Sequence, residues 1–241
     1  MIAIPWLAQR PVAHRGLHDL NKTRWENTLS AFREAARHDY AIECDVHLSS
    51  DGVPVVFHDD DLKRLTGRVG RPCDHTAAEL TAMKVGTGSD GIPTLVEMLE
   101  AVAGKVPLVI ELKGTEGKDD GLVAKVAGLL AGYEGKAAIM SFDHWLIRQF
   151  PKDAPGIPGG LTALGQNDKD IEGHFAMLAY DLSFVSYNLA DMPNRFLSLV
   201  REKLSMPVIS WTVRDQTAAD LTFKYADQMT FEGFIPKVAA V

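Results

Sequence analysis

The chain has 241 residues, 46% of them hydrophobic and 24% charged, enough to bury one sizeable core and too ordinary in charge for a disordered chain. Its formal net charge of -7 argues against a general nucleic-acid binder, yet leaves a local cleft free to hold an anion. Two cysteines, Cys44 and Cys73, make no disulfide framework, no basic-then-apolar leader opens the chain, and no run reaches the roughly 18 apolar residues of a membrane span. A cytoplasmic protein without stable membrane anchoring is the expectation.

Short apolar runs alternate with helical patterns from end to end. The first strand is expected at 11–15, ending in His14-Arg15, and a helix at 28–38 carries Leu29, Phe32 and Ala36 at helical spacing behind Asn27 as cap. The second strand, 41–48, places Glu43 and Asp45 two apart inside an apolar run, so alternation points both to one side. Asp51-Gly52 then marks a hairpin with a return strand over 54–58. A two-residue loop there sets Ser50 against Val53 and Asp45 against His58. Residues 59–93 read as a loop-rich insertion. Further strands are expected at 107–113, 137–142, 159–164, 184–188, 208–213 and 227–231, with helices at 94–103 (capped by Thr94), 119–132, 144–151, 168–178, 193–204 and 216–225.

Strand alternating with helix means parallel βα units, and eight of them in this length fit a single-domain (β/α)8 barrel over 1–241 with the hairpin strand as an extra. Chemistry in such barrels gathers at the C-terminal ends of strands. There stand His14 and Arg15, Glu43 and Asp45, and Glu111 with Lys113 after the apolar Pro107–Ile110 run. An exposed charged rim is the bland alternative, and Ile42, Val46 and Leu48 argue against it. Three carboxylates brought together repel unless a cation lies between them, and an oxygen-only ligand set favours Mg²⁺ or Ca²⁺, with the nearby histidines leaving Zn²⁺ or Mn²⁺ open. An imidazole near its ordinary pKa serves as acid or base around neutrality, which draws attention to His14 and His58. Arg15 and Lys113 either neutralise the acids or hold a phosphate. Trp211 is equally a core residue or a wall for substrate. His47 shares the face of the acids but lies nearer the turn, and the other histidines, His18 included, are read as structural.

The motifs His14-Arg15-Gly16, Glu26-Asn27-Thr28, Ile42-Glu43-Cys44-Asp45-Val46, Ser50-Asp51-Gly52 and Val56-Phe57-His58-Asp59 follow one another in order. Leu62-Lys63-Arg64, Ile92-Pro93-Thr94-Leu95, Ile110-Glu111-Leu112-Lys113, Ser141-Phe142 and Trp211-Thr212-Val213 complete the series. Together they resemble the glycerophosphodiester phosphodiesterase family across most of the chain. That resemblance implies a phosphodiesterase-type TIM barrel, metal ligands Glu43, Asp45 and Glu111, and an acid–base pair His14 and His58. It further implies phosphate contacts from Arg15 and Lys113, Glu26 as a supporting residue, a divalent Mg²⁺ or Ca²⁺ cofactor, and a small glycerophosphodiester split to glycerol 3-phosphate and an alcohol. The attacking group is either water or the neighbouring glycerol hydroxyl. A lysophospholipid, another sugar phosphodiester, and a non-catalytic phosphodiester-binding barrel are the alternatives. Arg214, where the family often has Asn, and Glu232-Gly233, where it usually has Thr-Asp and a proline, depart from the family pattern and bear on substrate choice.

Overall fold

The structure is a computed structural model in which residues 2–237 are described. Nine strands form one sheet: β1 (Val12–Ala13), β2 (Ala41–Leu48), β3 (Pro54–Val56), β4 (Leu108–Leu112), β5 (Ala137–Ser141), β6 (Gly159–Ala163), β7 (Phe184–Asn188), β8 (Val208–Val213) and β9 (Gln228–Phe231). All but β3 run parallel, and pairing of β1 with both β2 and β9 closes them into an eight-stranded barrel. β3 lies antiparallel on β2 outside the ring. The fold expected from the alternation of apolar runs is therefore the one formed. The cap of the first helix (Leu29–Arg37) is Thr28, not Asn27, because the Thr28 side chain accepts from the Ala31 N–H while Asn27 turns toward the barrel.

Strand alternation sorts the side chains into two apolar sets. Ile42, Cys44, Val46, Leu108 and Ile110 point outward into the helix-covered core. Val12, Ala41, Val109, Ala138, Phe184 and Ile209 point inward and fill the lower barrel. An N-terminal 3-10 turn, Pro5–Ala8, which the sequence pattern does not announce, buries Trp6 and Leu7 against this inner set. With its base filled, the barrel has room for a site only above the apolar layer.

The hairpin differs from expectation by one residue. Val46 faces Val56 and Leu48 faces Pro54, so Asp45 is matched by Phe57, whose N–H donates to the Asp45 carbonyl at 3.0 Å; His58 is not its partner. The loop is three residues, Ser50-Asp51-Gly52, with Gly52 at φ +74°, the left-handed position of a turn closed by a bulge. Ser49 locks this form: its hydroxyl donates to Asp51 at 2.6 Å and accepts from the Val53 N–H at 2.9 Å. The insertion after the hairpin folds into short helical pieces, Lys63–Thr66, Pro72–Asp74 and Ala77–Thr81, around a small core of Phe57, Leu62, Leu65, Leu80 and Ile92.

Inside the barrel, Gly160 on β6 is the register partner of Phe184 on β7, and a Cβ at Gly160 would stand 2.3 Å from the Phe184 ring. The ring is fully buried. Gly160→Ala should therefore lower the melting temperature by several degrees, since overpacking costs about 1–3 kcal/mol and each kcal/mol is worth ~2–4 °C at this size. Adding Phe184→Leu should recover much of that loss, a coupling that thermal unfolding of the single and double variants would reveal.

Candidate active site

Glu43 and Asp45 of β2 and Glu111 of β4 project inward just above the apolar layer, and Asp45 and Glu111 are register partners. All three are buried, and one oxygen of each lies within 4.8 Å of the others. Two non-glycine residues held in the left-handed region aim donors at them. Arg15, at φ +55°, donates its backbone N–H to Glu43 at 2.9 Å, and Asn27, at φ +53°, donates its amide to Asp45 at 2.8 Å. Such backbone conformations cost of order 1 kcal/mol each and persist only where the surroundings impose them.

The cations follow the acids. Lys113 Nζ lies 3.1 Å from Asp45 and also contacts Glu111, while Arg15 Nε stands 3.5 Å from Asp45. Burial opposes ionisation of Asp45, but Lys113, His58 and Arg15 together hold its carboxyl well below the usual carboxylate range. Burial also opposes the charge on Lys113, and the flanking Asp45 and Glu111 outweigh it and push its pKa up. Glu43 is less well compensated: burial, then Asp45 and Glu111, raise it well above its ordinary value. Burial pushes Glu111 up to about 7 despite the adjacent ammonium. Three buried carboxylates, two of them resisting ionisation, are an oxygen donor set suited to a hard divalent cation. Such an ion would remove their mutual repulsion.

The histidines are matched in their wiring. His14 Nδ1 lies 2.6 Å from Glu232, and His58 Nδ1 lies 2.8 Å from Asp59. Both carboxyls are held below their ordinary values: burial opposes this, but His14, His18 and Arg214 together outweigh it at Glu232, and Arg64 and His58 together do so at Asp59. An ionised carboxylate only accepts, so each Nδ1 carries a proton, and Nε2 is the nitrogen left to take a proton in a neutral ring or to give one in a charged ring. His14 Nε2 is 4.0 Å from Glu43. Burial lowers the His14 pKa, which favours its neutral form at pH 7. His47 does not join the cavity; its Nε2 lies 3.3 Å from the His58 carbonyl and steadies that turn.

Glu26 holds the first guanidinium: Arg15 donates to it at 2.7 Å, and Arg64 of the insertion grips both of its oxygens at 2.7 and 2.9 Å. These contacts outweigh burial and keep Glu26 ionised, with a pKa pulled down to about 2. Arg64 also clamps Asp59, so one arginine joins the support of Arg15 to that of His58. Sequence reasoning assigned no role to Arg64, Asp59 or Glu232. Arg214 and Glu232, noted separately as departures, are in contact: the guanidinium binds the Glu232 oxygen Oε1 at 2.8 Å. His18, set aside as structural, stands 3.7 Å from Glu232, an electrostatic contact beyond hydrogen-bond reach. The three acids, His14, His58, Arg15, Lys113 and Arg214 border one cavity of about 200 Å³, completed by Met140, Phe142, Thr162, Ser186, Trp211, Thr212 and Thr230. It brings together His14, Arg15, Glu43, Asp45, His58, Glu111, Lys113 and Trp211, and leaves Glu26 just outside.

A parallel barrel with an acid triad, two imidazoles and two cations at its C-terminal mouth presents a donor set that could hold a metal ion beside positive charge suited to a phosphate. The model of the Glycerophosphoryl diester phosphodiesterase family matches residues 14–236, and the chain belongs to that family of phosphodiester hydrolases. A Caldanaerobacter subterraneus glycerophosphodiester phosphodiesterase is 34% identical over 62% of this chain, an alignment spanning 65% of that protein. The Bacillus subtilis protein YhdW is 30% identical over 87% of this chain and 88% of its own length. Among solved structures, a Thermotoga maritima glycerophosphodiester phosphodiesterase superposes with a TM-score of 0.72 at 26% identity, covering 92% of this chain and 94% of that one. An Oleispira antarctica phosphodiesterase in complex with the product sn-glycerol-3-phosphate shares the fold at a TM-score of 0.80 and 24% identity, over 93% of this chain and 92% of that one.

The raised pKa of Glu111 has a consequence for metal-free protein. A carboxyl whose folded value lies above its unfolded one contributes stability that is present below about 4.5 and is lost as pH rises through about 7. In chelator, wild-type stability should therefore carry a component that declines across this window and is absent from Glu111→Gln. Saturating Mg²⁺ or Ca²⁺ should abolish the decline in wild type. Chemical denaturation at pH 5, 6 and 7.5, with and without metal, would measure it.

Proposed function

We propose that this protein is a divalent-metal-dependent glycerophosphodiester phosphodiesterase, one barrel domain acting on a small soluble substrate to give glycerol 3-phosphate and an alcohol. The observation that carries the reading is the convergence on one cavity of three buried carboxylates with two imidazoles and two cations. Glu43, Asp45 and Glu111 would hold the cation, Mg²⁺ or Ca²⁺ by the hardness of an all-oxygen set. When bound, it supplies charge neutralisation at the phosphate oxygens.

In this reading the chain's own groups do the rest. Arg15, with Glu26 behind it, and Lys113 present positive charge to the phosphate. His14, neutral and bearing its proton on the Nδ1 that faces Glu232, offers Nε2 as the base that takes a proton from the attacking hydroxyl, whether of water or of the glycerol neighbour. His58, oriented by Asp59, would act in its charged form and give its Nε2 proton to the departing alkoxide. Trp211 and Phe142, packed edge to face with centroids 5.4 Å apart, form an aromatic wall. The two cysteines are buried and free, which suits a reducing, cytoplasmic setting. Among the described residues no helix is long and apolar enough to cross a membrane.

His14→Ala and His58→Ala should each lower kcat/KM on glycerophosphocholine by roughly 100-fold or more with the circular dichroism spectrum intact. Retention of near-wild-type turnover by either variant would defeat its assignment. Exhaustive chelation should abolish product release and added Mg²⁺ or Ca²⁺ restore it; release that persists without metal would remove the cation from the reaction. The cavity, small beside the roughly 300–1,000 Å³ of drug-sized ligand sites, has no enclosed room for an acyl chain. Glycerophosphocholine should accordingly be turned over faster than lysophosphatidylcholine, a comparison made by choline release from both.

A further inference from the structure

Arg64 does not border the cavity, so any part it plays in the reaction is indirect. Its guanidinium offers two edges, and each is committed to a different carboxylate. The Nε–Nη2 edge donates to both oxygens of Asp59 at 2.6 and 2.8 Å, and the Nη1–Nη2 edge to both oxygens of Glu26 at 2.9 and 2.7 Å. Two charge-assisted forks fix a planar group in orientation as well as position. Beyond each carboxylate lies a group of the proposed reaction: Arg15 donates to Glu26 at 2.7 Å, and His58 Nδ1 lies 2.8 Å from Asp59. The path from the phosphate-facing cation to the acid–base imidazole is thus unbroken, with Arg64 at its centre.

The small apolar core of the insertion sets the geometry of this bridge. Trp25 precedes Glu26, Phe57 precedes His58-Asp59 and Leu65 follows Arg64, and these three side chains all pack in or against that one cluster. Buried Leu62 and Leu65 hold the turn Lys63–Thr66 that presents Arg64, and the Leu65 carbonyl accepts from the Gly86 N–H at 2.6 Å. Polar residues from separate segments are therefore registered by their own apolar neighbours. A lone exposed ion pair is worth little, whereas forked pairs joined in a network hold their members in one geometry. Sharing matters to charge as well. Glu26, divided between two guanidiniums, leaves Arg15 with positive charge to offer an anion, and Asp59, gripped at both oxygens, stays turned toward His58.

We propose that Arg64 is a positioning residue that sets Arg15 and His58 relative to each other, so that phosphate capture and proton delivery depend on one side chain of the insertion. The reactive roles of Arg15 and His58 in this statement rest on the hydrolytic reading above; the link between them rests on the bridge itself.

Arg64→Met removes the forks and the charge, Arg64→Lys the forks alone, and Arg68→Met an equal charge elsewhere in the insertion. Calorimetric titration of the full chain with inorganic phosphate in Mg²⁺ reads the Arg15 end. Nitrogen NMR of the neutral His58 ring, which reports the nitrogen that carries the proton, reads the other end without turnover. Wild type should hold the Nδ1–H form against Asp59. Arg64→Met should weaken phosphate binding by about tenfold or more, the usual scale for losing an outer partner that orients an active group, and should move His58 toward the Nε2–H form. On glycerophosphocholine it should raise KM and lower kcat together. Arg64→Lys should leave His58 displaced, because one ammonium cannot grip both oxygens of Asp59 while holding Glu26. Arg68→Met should change neither reading. The proposal fails unless both readings move in Arg64→Met; a purely structural role would lower the melting temperature and move neither. Full rescue by Arg64→Lys, or an equal loss in Arg68→Met, would reduce Arg64 to a surface charge and overturn it too. Both shifts in a protein that hydrolyses no glycerophosphodiester would keep the link and defeat the hydrolytic reading instead.

Discussion

Everything at the mouth of this barrel answers to one electrostatic constraint: three carboxylates, buried, within 4.8 Å of one another. Desolvation and mutual repulsion both oppose ionisation of such a group, and nearby positive charge is the available remedy. Lys113 and Arg15 supply it directly. Arg15 is then held by Glu26, and Glu26 by Arg64 of the insertion, so charge compensation spreads outward in alternating sign from Asp45 to the surface. The insertion is attached to the site by this chain as well as by its own apolar core. Glu43 and Glu111, which the protein's cations leave under-compensated, are where an added divalent charge has the most to offer.

The same constraint explains the backbone. Arg15 and Asn27 occupy a left-handed conformation that L-residues avoid, and both direct donors at the acids from it. The Asn27 N–H also donates to the Arg15 carbonyl at 2.9 Å, tying the two irregular positions into one unit. Local strain here is the means by which a loop after β1 reaches two carboxylates on β2.

Much of this was legible in the amino-acid sequence, for identifiable reasons. The barrel showed through because parallel strands buried on both faces read as apolar runs. Glu43, Asp45 and Glu111 stood out because carboxylates are conspicuous inside such runs. What escaped depends on contacts between distant segments. Glu232 and His14 lie 218 residues apart, and nothing local in Phe231-Glu232-Gly233 announces an imidazole partner. Arg214 and Glu232 each looked like an isolated departure, whereas the fold makes them partners. The hydroxyls of Thr162, Ser186 and Thr230, which line the cavity without a partner in the protein, were invisible because Thr and Ser in strands carry no signal until their surroundings are known. The hairpin was misread by one residue because Asp-Gly suits a two-residue loop as well as the Gly position of a three-residue one; Ser49 decided between them.

That one-residue difference reaches beyond register. β3 ends at Val56, so His58 leaves the ladder and is oriented by Asp59, Arg64 and the insertion, not by the pleat of the sheet. The tip of the hairpin is consequently a place where chain length matters more than chemistry. Deleting one residue from Ser50-Asp51-Gly52 would draw His58 onto the ladder opposite Asp45 and displace Phe57 from the small core it anchors. Surface turns usually drift freely in length during descent, and this one is poorly placed to do so. Its residues can be exchanged within the needs of the turn, but their number is bound to a site they never touch.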